Sequence, residues 1–107
     1  MTDHALDRLF ATIAARKDAD PAASYTAKLL AAGVEKCAKK FGEEATEAVI
    51  AAISRDKTEL AKESADVLYH LAVLWAASGI TPEDVYSVLK ARETMSGLEE
   101  KASRPKS

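Results

Sequence analysis

The sequence predicts an all-α protein, a helical bundle of about five helices per chain that is completed by homodimerisation. Alanine, the residue with the highest helix propensity, accounts for 22 of the 107 positions. Only four glycines and three prolines interrupt the chain, and no stretch alternates apolar and polar residues as a half-buried strand would. A chain of this length is typical of a single domain, which we place at residues 1–95.

The first three helices follow from apolar spacing and from residues that cap helices. Residues 3–17 carry apolar side chains at every third or fourth position, which predicts an amphipathic first helix. After a break around Pro21, Ser24 is a cap for a short second helix that Gly33 ends. The third helix is expected over residues 34–54.

The fourth and fifth helices have the clearest boundary signals. Asp56 is expected to cap the fourth helix, with Glu59 completing a capping-box pattern, and this helix runs to Ser78. Thr81, followed by a proline in the first helical position, predicts the start of the fifth helix. We expect the fifth helix to end near Met95.

The polar segment 96–107 forms a C-terminal tail in this prediction. It contains Gly97 and Pro105, which interrupt regular structure. We expect the tail to be mobile unless a bound substrate or a partner orders it.

The fourth predicted helix is apolar on every side over residues 67–75. A helix that is apolar all round must be covered all round. The few short helices of so small a chain cover it poorly. The sequence therefore predicts a homodimer in which the two long helices of each subunit form a bundle.

Charge and cysteine content exclude several classes of protein. Fifteen basic and seventeen acidic residues give a net charge of −2, whereas nucleic-acid-binding domains usually carry a basic excess. The longest apolar run includes His70 and is too short to span a membrane. Cys37 is the single cysteine, so no disulfide framework is possible within the chain. Because no signal-peptide pattern opens the sequence, we expect a cytoplasmic protein.

Two groups of acidic residues are the most informative feature of the sequence. Glu43, Glu44 and Glu47 lie on the third predicted helix, and Glu63 and Asp66 lie on the fourth. Positions three or four apart share a face of a helix. If the two helices run antiparallel through the turn between them, both groups reach a similar height, and the spacing permits one site with four or five carboxylates.

Acidic stripes on helices are more often solvated surface, paired with lysines such as Lys39, Lys40 and Lys62. Here, however, the acidic faces continue into apolar residues, as Glu47 does into Ile50 one turn later. Four converging carboxylates would also repel one another without a counter-charge. Because Mg²⁺ prefers oxygen ligands and often bridges carboxylates to substrate phosphates, the pattern predicts a magnesium site.

The acidic pattern resembles the metal signature of the all-α nucleotide pyrophosphohydrolases, the MazG-like superfamily. Within that superfamily the chain is similar to the phosphoribosyl-ATP pyrophosphohydrolase family. The similarity covers nearly the whole chain, and the serine–tyrosine–threonine stretch and the basic tail are its most specific parts. The matching stretches are residues 24–29, 39–44, 65–70 and 99–104.

The resemblance implies hydrolysis of phosphoribosyl-ATP to phosphoribosyl-AMP and pyrophosphate, the second step of histidine biosynthesis. It also implies Mg²⁺ bound by four carboxylates, which are Glu44, Glu47, Glu63 and Asp66. Glu43 faces less squarely into the same site, because consecutive helical residues lie about 100° apart. We expect Glu43 to orient or deprotonate the attacking water, or to support the metal ligands from behind.

Phosphates that a metal ion leaves uncovered require cationic partners. Lys36 and Lys40 are better placed than most, because they lie four residues apart on the helix that carries the acids. Tyr25 is a candidate for stacking on adenine or ribose, with an interfacial aromatic as an equal alternative. For each base the alternative is an ordinary solvated side chain. The candidate substrate-binding residues are Tyr25, Lys28, Lys36, Lys40, Arg92, Lys101 and Arg104.

Two further residues are interpreted as structural. His70 lies in an apolar stretch and is expected to be a hydrogen-bonded core or interface histidine, because hard Mg²⁺ favours oxygen ligands. Cys37 faces the apolar side of its helix and is expected to pack. Neither residue is assigned to the chemistry.

Two alternative functions remain open from the sequence. The first is a house-cleaning nucleoside triphosphate pyrophosphohydrolase of the MazG type, which would use the same metal site on non-standard nucleotides. The second is a non-catalytic helical dimerisation module whose acidic stripe is only solvated surface. Magnesium-dependent release of pyrophosphate separates the second alternative from both enzymes, and substrate preference separates the two enzymes.

Overall fold

A computed structural model describes residues 4–94 and 97–105 of the chain, except for the side chain of Glu100. All regular structure in these ranges is helical, which confirms the predicted all-α class. No helix among the described residues is both long enough and apolar enough to cross a membrane. The six helices are α1 Ala5–Ala15, α2 Tyr25–Ala32, α3 Val34–Ile53, α4 Lys57–Ser78, α5 Pro82–Arg92 and α6 Gly97–Ser103.

The predicted caps are present in the structure. The Ser24 hydroxyl accepts a hydrogen bond from the Ala27 amide at 3.1 Å at the start of α2. The Asp56 carboxylate accepts one from the Glu59 amide at 3.0 Å at the start of α4. These bonds satisfy amides that the first helical turn leaves without a partner.

Glycines separate the helices where the backbone turns. Gly33, with φ of +98°, joins α2 directly to α3, and Gly79, with φ of +78°, ends α4 in the left-handed region. Side chains are disfavoured at both angles, so glycine suits both positions. The capping box that opens α5 is complete, because Thr81 and Asp84 each accept a hydrogen bond from the other's amide.

The C-terminal region differs from the prediction. Helix α5 ends at Arg92 rather than near Met95, which lies outside the described residues. Part of the tail forms α6, a helix that the sequence analysis did not predict, so the described residues contain six helices. The physical reason is local, because leucine, glutamate, lysine and alanine follow Gly97 and all favour helix.

Helices α3 and α4 pack along each other as a hairpin joined by three residues, and this hairpin is the centre of the fold. Helices α1 and α2 both pack on it. The Cys37 thiol donates a hydrogen bond to the Leu29 carbonyl oxygen at 3.3 Å, which confirms a packing role for Cys37. The buried cluster consists of Ile13, Leu29, Cys37, Ala72 and Val73.

An apolar face of α3 lies open in the single chain. On α3, Val49, Ile50 and Ile53 are 56%, 55% and 76% exposed. Leu68 of α4 is 45% exposed, although it lies in the stretch that the sequence marks as apolar on every side. Removing apolar surface from water is favourable by roughly 25 cal/mol per Å², so this face is suited to a contact with another molecule.

Candidate active site

The α3–α4 hairpin brings three of the predicted acidic residues together. Glu44 comes from α3, and Glu63 and Asp66 come from α4 one helical turn apart. One carboxylate oxygen of each lies within 4.8 Å of the others. This arrangement confirms the expectation that an antiparallel pairing would bring the two acidic groups to the same height.

The three residues form a set of hard oxygen donors. Divalent ions such as Mg²⁺ bind carboxylates of this kind and retain several water ligands. Glu44 and Glu63 are partly buried, so water screens their mutual repulsion less than it would at a fully exposed position. The donor chemistry and the concentrated negative charge both fit a divalent cation.

A fourth acid, Glu59, also contacts the cluster and was not predicted as a site residue. Its carboxylate is placed to accept a hydrogen bond from the Glu63 carboxyl group when Glu63 is protonated. This bond, together with burial and the charges of Glu59, Glu44 and Asp66, raises the pKa of Glu63 to about 7. The signal was in the sequence: Glu59 lies four residues before Glu63 and so shares its helix face.

Glu47 and Glu43 lie beside this cluster rather than in it. Glu47 is exposed and follows Glu44 by one turn of α3. Glu43 forms an ion pair with Lys40, with 3.2 Å between carboxylate oxygen and Nζ. The hydrogen bond from Lys40 lowers the pKa of Glu43, so this carboxylate stays ionised.

Four of the predicted substrate-binding residues line one cavity next to the acids. Tyr25 and Lys28 contribute from α2, and Lys36 and Lys40 contribute from α3. The cavity has a volume of about 220 Å³ and is completed by Leu29 and Ala32. Lys40 connects the cavity to the acids, because Glu43 and Glu44 both contribute to its raised pKa.

An aromatic cluster joins Tyr25, which lines the cavity, to α4. The rings of Tyr25 and Tyr69 stack with centroids 6.5 Å apart, and His70 meets both of them edge-on. The Tyr69 hydroxyl also forms a hydrogen bond with the Thr26 hydroxyl. These contacts restrict the position of Tyr25, which remains 53% exposed.

His70 is buried as predicted, with 6% of its surface exposed. Its Nδ1 atom, however, has no hydrogen-bond partner among the described residues, in contrast to the expectation of a hydrogen-bonded histidine. Burial lowers the pKa of His70, which favours the neutral imidazole. The neighbouring Glu44 and Asp66 act in the opposite direction.

The other three predicted bases lie elsewhere. Arg92 lines a separate cavity with apolar residues of α5. Lys101 lies in the last turn of α6, and Arg104 follows that helix. None of these three bases is among the residues that line the cavity around Tyr25.

The chain is similar to a known enzyme family and to several of its members. The family model for phosphoribosyl-ATP pyrophosphohydrolase matches residues 6–93. The phosphoribosyl-ATP pyrophosphatase of Parvibaculum lavamentivorans is 63% identical over 99 residues, which cover 92% of this chain and 91% of the relative. Those of Cereibacter sphaeroides and Paracoccus denitrificans are each 61% identical over 92% of this chain, covering 96% and 92% of the respective relative.

The acidic cluster predicts a pH-dependent stability in the absence of metal. A free glutamate has a pKa of 4.5, and the fold raises that of Glu63 to about 7. The folded state therefore binds this proton more tightly, and the stability that it contributes is lost as the pH rises from about 5 to 8. Glu63→Gln removes the group that titrates, so the variant should not show this loss. In EDTA, the unfolding midpoint of the variant should therefore rise relative to that of the wild type as the pH increases from about 5 to 8.

The matched control for that comparison is Glu83→Gln, which changes an exposed acid on α5. Its unfolding midpoint should keep a nearly constant difference from that of the wild type over the same pH range. Parallel curves for Glu63→Gln and the wild type would show that the acidic cluster does not raise the pKa of Glu63. Thermal unfolding followed by circular dichroism is the measurement.

Proposed function

Since this chain belongs to the phosphoribosyl-ATP pyrophosphohydrolase family, we propose that it hydrolyses phosphoribosyl-ATP to phosphoribosyl-AMP and pyrophosphate, the second step of histidine biosynthesis. The observation that carries the proposal is a three-carboxylate cluster that adjoins a cavity lined by three lysines. In the reaction, an oxygen of water forms a new bond to phosphorus. The phosphoanhydride bond between the α- and β-phosphates breaks, and pyrophosphate leaves.

In this proposal Glu44, Glu63 and Asp66 hold Mg²⁺, and their mutual approach supports that role. Glu47 completes the set as a fourth carboxylate, because it lies one turn from Glu44 and its exposed side chain is free to turn toward a shared ion. When bound, Mg²⁺ would neutralise negative charge on the triphosphate and so favour attack at phosphorus.

Glu43 and Lys40 have complementary roles in the proposal. The lowered pKa keeps Glu43 ionised, so that it accepts a hydrogen bond from water and orients it. The same lowered pKa makes Glu43 a weak base, which favours orientation over proton removal. Lys40 is the cationic partner in this ion pair, and its charge offsets negative charge on the triphosphate.

The remaining substrate contacts are assigned by position. Tyr25 offers an exposed ring face beside the lysines, which suits stacking on the adenine. Lys28 and Lys36 supply positive charge in the same cavity. Arg92, Lys101 and Arg104 lie outside that cavity. We propose that the tail bases Lys101 and Arg104 reach the substrate when the C-terminal tail orders over it, whereas Arg92 of α5 is a candidate by its charge alone.

We also propose that the protein is a homodimer and acts in the cytoplasm. The open apolar face of α3 and the exposed Leu68 of α4 support the dimer, since a second hairpin would cover them. The single cysteine is a buried free thiol, which suits a reducing compartment.

The central test of the proposed reaction is pyrophosphate release from phosphoribosyl-ATP with and without Mg²⁺. Glu44→Gln removes one charge from the cluster and should lower kcat/KM by roughly 10²-fold or more, since loss of a key charge-stabilising group costs about that much. Glu83→Gln should retain full activity, because Glu83 lies on α5 outside the cluster. Full activity of Glu44→Gln, or turnover that continues in EDTA, would contradict the metal site.

The same assay with dUTP and dITP tests the choice of substrate. Preference for one of these nucleotides would assign the chain to house-cleaning hydrolysis.

The dimer is tested by size-exclusion chromatography with light scattering. The wild type should elute with about twice the 11.5 kDa mass of the chain. Ile53→Asp places a charge on the open face and should shift the population to monomer, because burying an unpaired charge at an interface is costly. Leu89→Asp changes an equally apolar, 55% exposed residue on α5 and should leave the dimer intact. A wild-type monomer at micromolar concentration would contradict the proposal.

A further inference from the structure

The proposed substrate carries negative charge at two ends. One end is the triphosphate, and the other is the phosphate of the additional phosphoribosyl group, with the adenine between them. A site that selects phosphoribosyl-ATP over ATP therefore needs a second anion-binding position, separate from the acidic cluster and its cation. The cavity around Tyr25 has the charge and the placement for this position.

Three residues of α3 define a line away from the acidic cluster. Lys36, Lys40 and Glu44 follow one another at four-residue intervals and so share one stripe of the helix. At 1.5 Å per residue, Lys40 lies about 6 Å from Glu44 along the helix axis and Lys36 about 12 Å from it. Lys40 is thus the basic residue next to the metal ligands, and Lys36 lies at the far end of the cavity.

Helix α2 supplies the matching residues on the other wall. Tyr25 contributes to the raised pKa of Lys40, which places it near the acidic end. Lys28 lies one turn farther along α2 and lines the same cavity as Lys36. Tyr25 and Lys28 also border a second, open cavity of about 500 Å³, formed with residues 21–24 at the start of α2.

The three lysines of the cavity differ in whether they form an ion pair with a carboxylate. Lys40 is paired with Glu43 at 3.2 Å. Among the described residues, no carboxylate forms an ion pair with Lys28 or Lys36, and both side chains are exposed. Their charge is therefore available to an incoming anion.

We propose that Lys28 and Lys36 bind the phosphate of the substrate's additional phosphoribosyl group and so distinguish phosphoribosyl-ATP from ATP. This inference rests on the proposed function. The triphosphate occupies the end of the site at the acidic cluster and Lys40, the adenine stacks on Tyr25, and the second phosphate reaches the two remaining lysines. Lysine suits this position, since it binds phosphate as a point charge without a fixed geometry.

The test compares the affinity of two ligands that differ only in the phosphoribosyl group. Phosphoribosyl-AMP and AMP are titrated by calorimetry into the full chain with Mg²⁺. We expect Lys28→Met and Lys36→Met each to weaken the binding of phosphoribosyl-AMP by roughly 10- to 100-fold, the range for loss of a hydrogen bond to a charged group. AMP should bind these variants as it binds the wild type, and Lys28→Arg should preserve the preference for phosphoribosyl-AMP.

Lys90→Met is the matched control, because Lys90 lies on α5 and lines neither cavity. It should bind both ligands with wild-type affinity. The inference would be overturned if Lys28→Met and Lys36→Met lost affinity for both ligands equally, or if they bound both ligands as the wild type does. Weaker inhibition by pyrophosphate with an unchanged preference for phosphoribosyl-AMP would also overturn it, since the lysines would then serve the triphosphate.

Turnover of the wild type in the same preparation separates this inference from the proposed function. If the wild type does not hydrolyse phosphoribosyl-ATP, the proposed function itself is wrong. If the wild type hydrolyses phosphoribosyl-ATP but the variants keep the full preference for phosphoribosyl-AMP, only the assignment of Lys28 and Lys36 is wrong.

Discussion

Repulsion between carboxylates at the centre of the α3–α4 hairpin is the constraint on which the candidate site depends. Glu44, Glu63 and Asp66 approach within 4.8 Å, and Glu59 crowds Glu63 further. Without a cation this crowding favours a proton on Glu63, as its raised pKa indicates. A divalent ion would replace that proton and convert an unfavourable charge cluster into a ligand set.

The rest of the fold serves to hold these groups in place. The cap at Asp56 fixes where α4 begins, and the three-residue connection sets its register against α3. Helix α2, joined to α3 through Gly33, brings Tyr25 and Lys28 next to Lys36 and Lys40 in the N-terminal half of α3. The acidic and basic parts of the site thus depend on two short connections between consecutive helices.

Much of this arrangement follows from local sequence signals. Ser24, Asp56 and Thr81 each cap the helix predicted for them, because capping depends on only the next few residues. The meeting of Glu44 with Glu63 and Asp66 follows from helical periodicity and an antiparallel hairpin.

Other features depend on tertiary contacts and were missed. The hydrogen bond between the Glu63 carboxyl group and the Glu59 carboxylate requires two side chains to turn toward each other, and the sequence equally allowed Glu59 to serve as a capping partner. The unpartnered Nδ1 of His70 depends on which neighbours surround it. Helix α6 was missed because Gly97 and Pro105 outweighed the good helix formers between them in the prediction.

The most direct test of this account is calorimetric titration of Mg²⁺ into the substrate-free protein at pH 8, where Glu63 is mostly ionised. The account predicts saturable binding to the wild type and at least about tenfold weaker binding to Asp66→Asn, which removes one ligand charge while preserving side-chain shape. Equal affinity in the two proteins, or no binding to either, would contradict the claim that these carboxylates form a cation site.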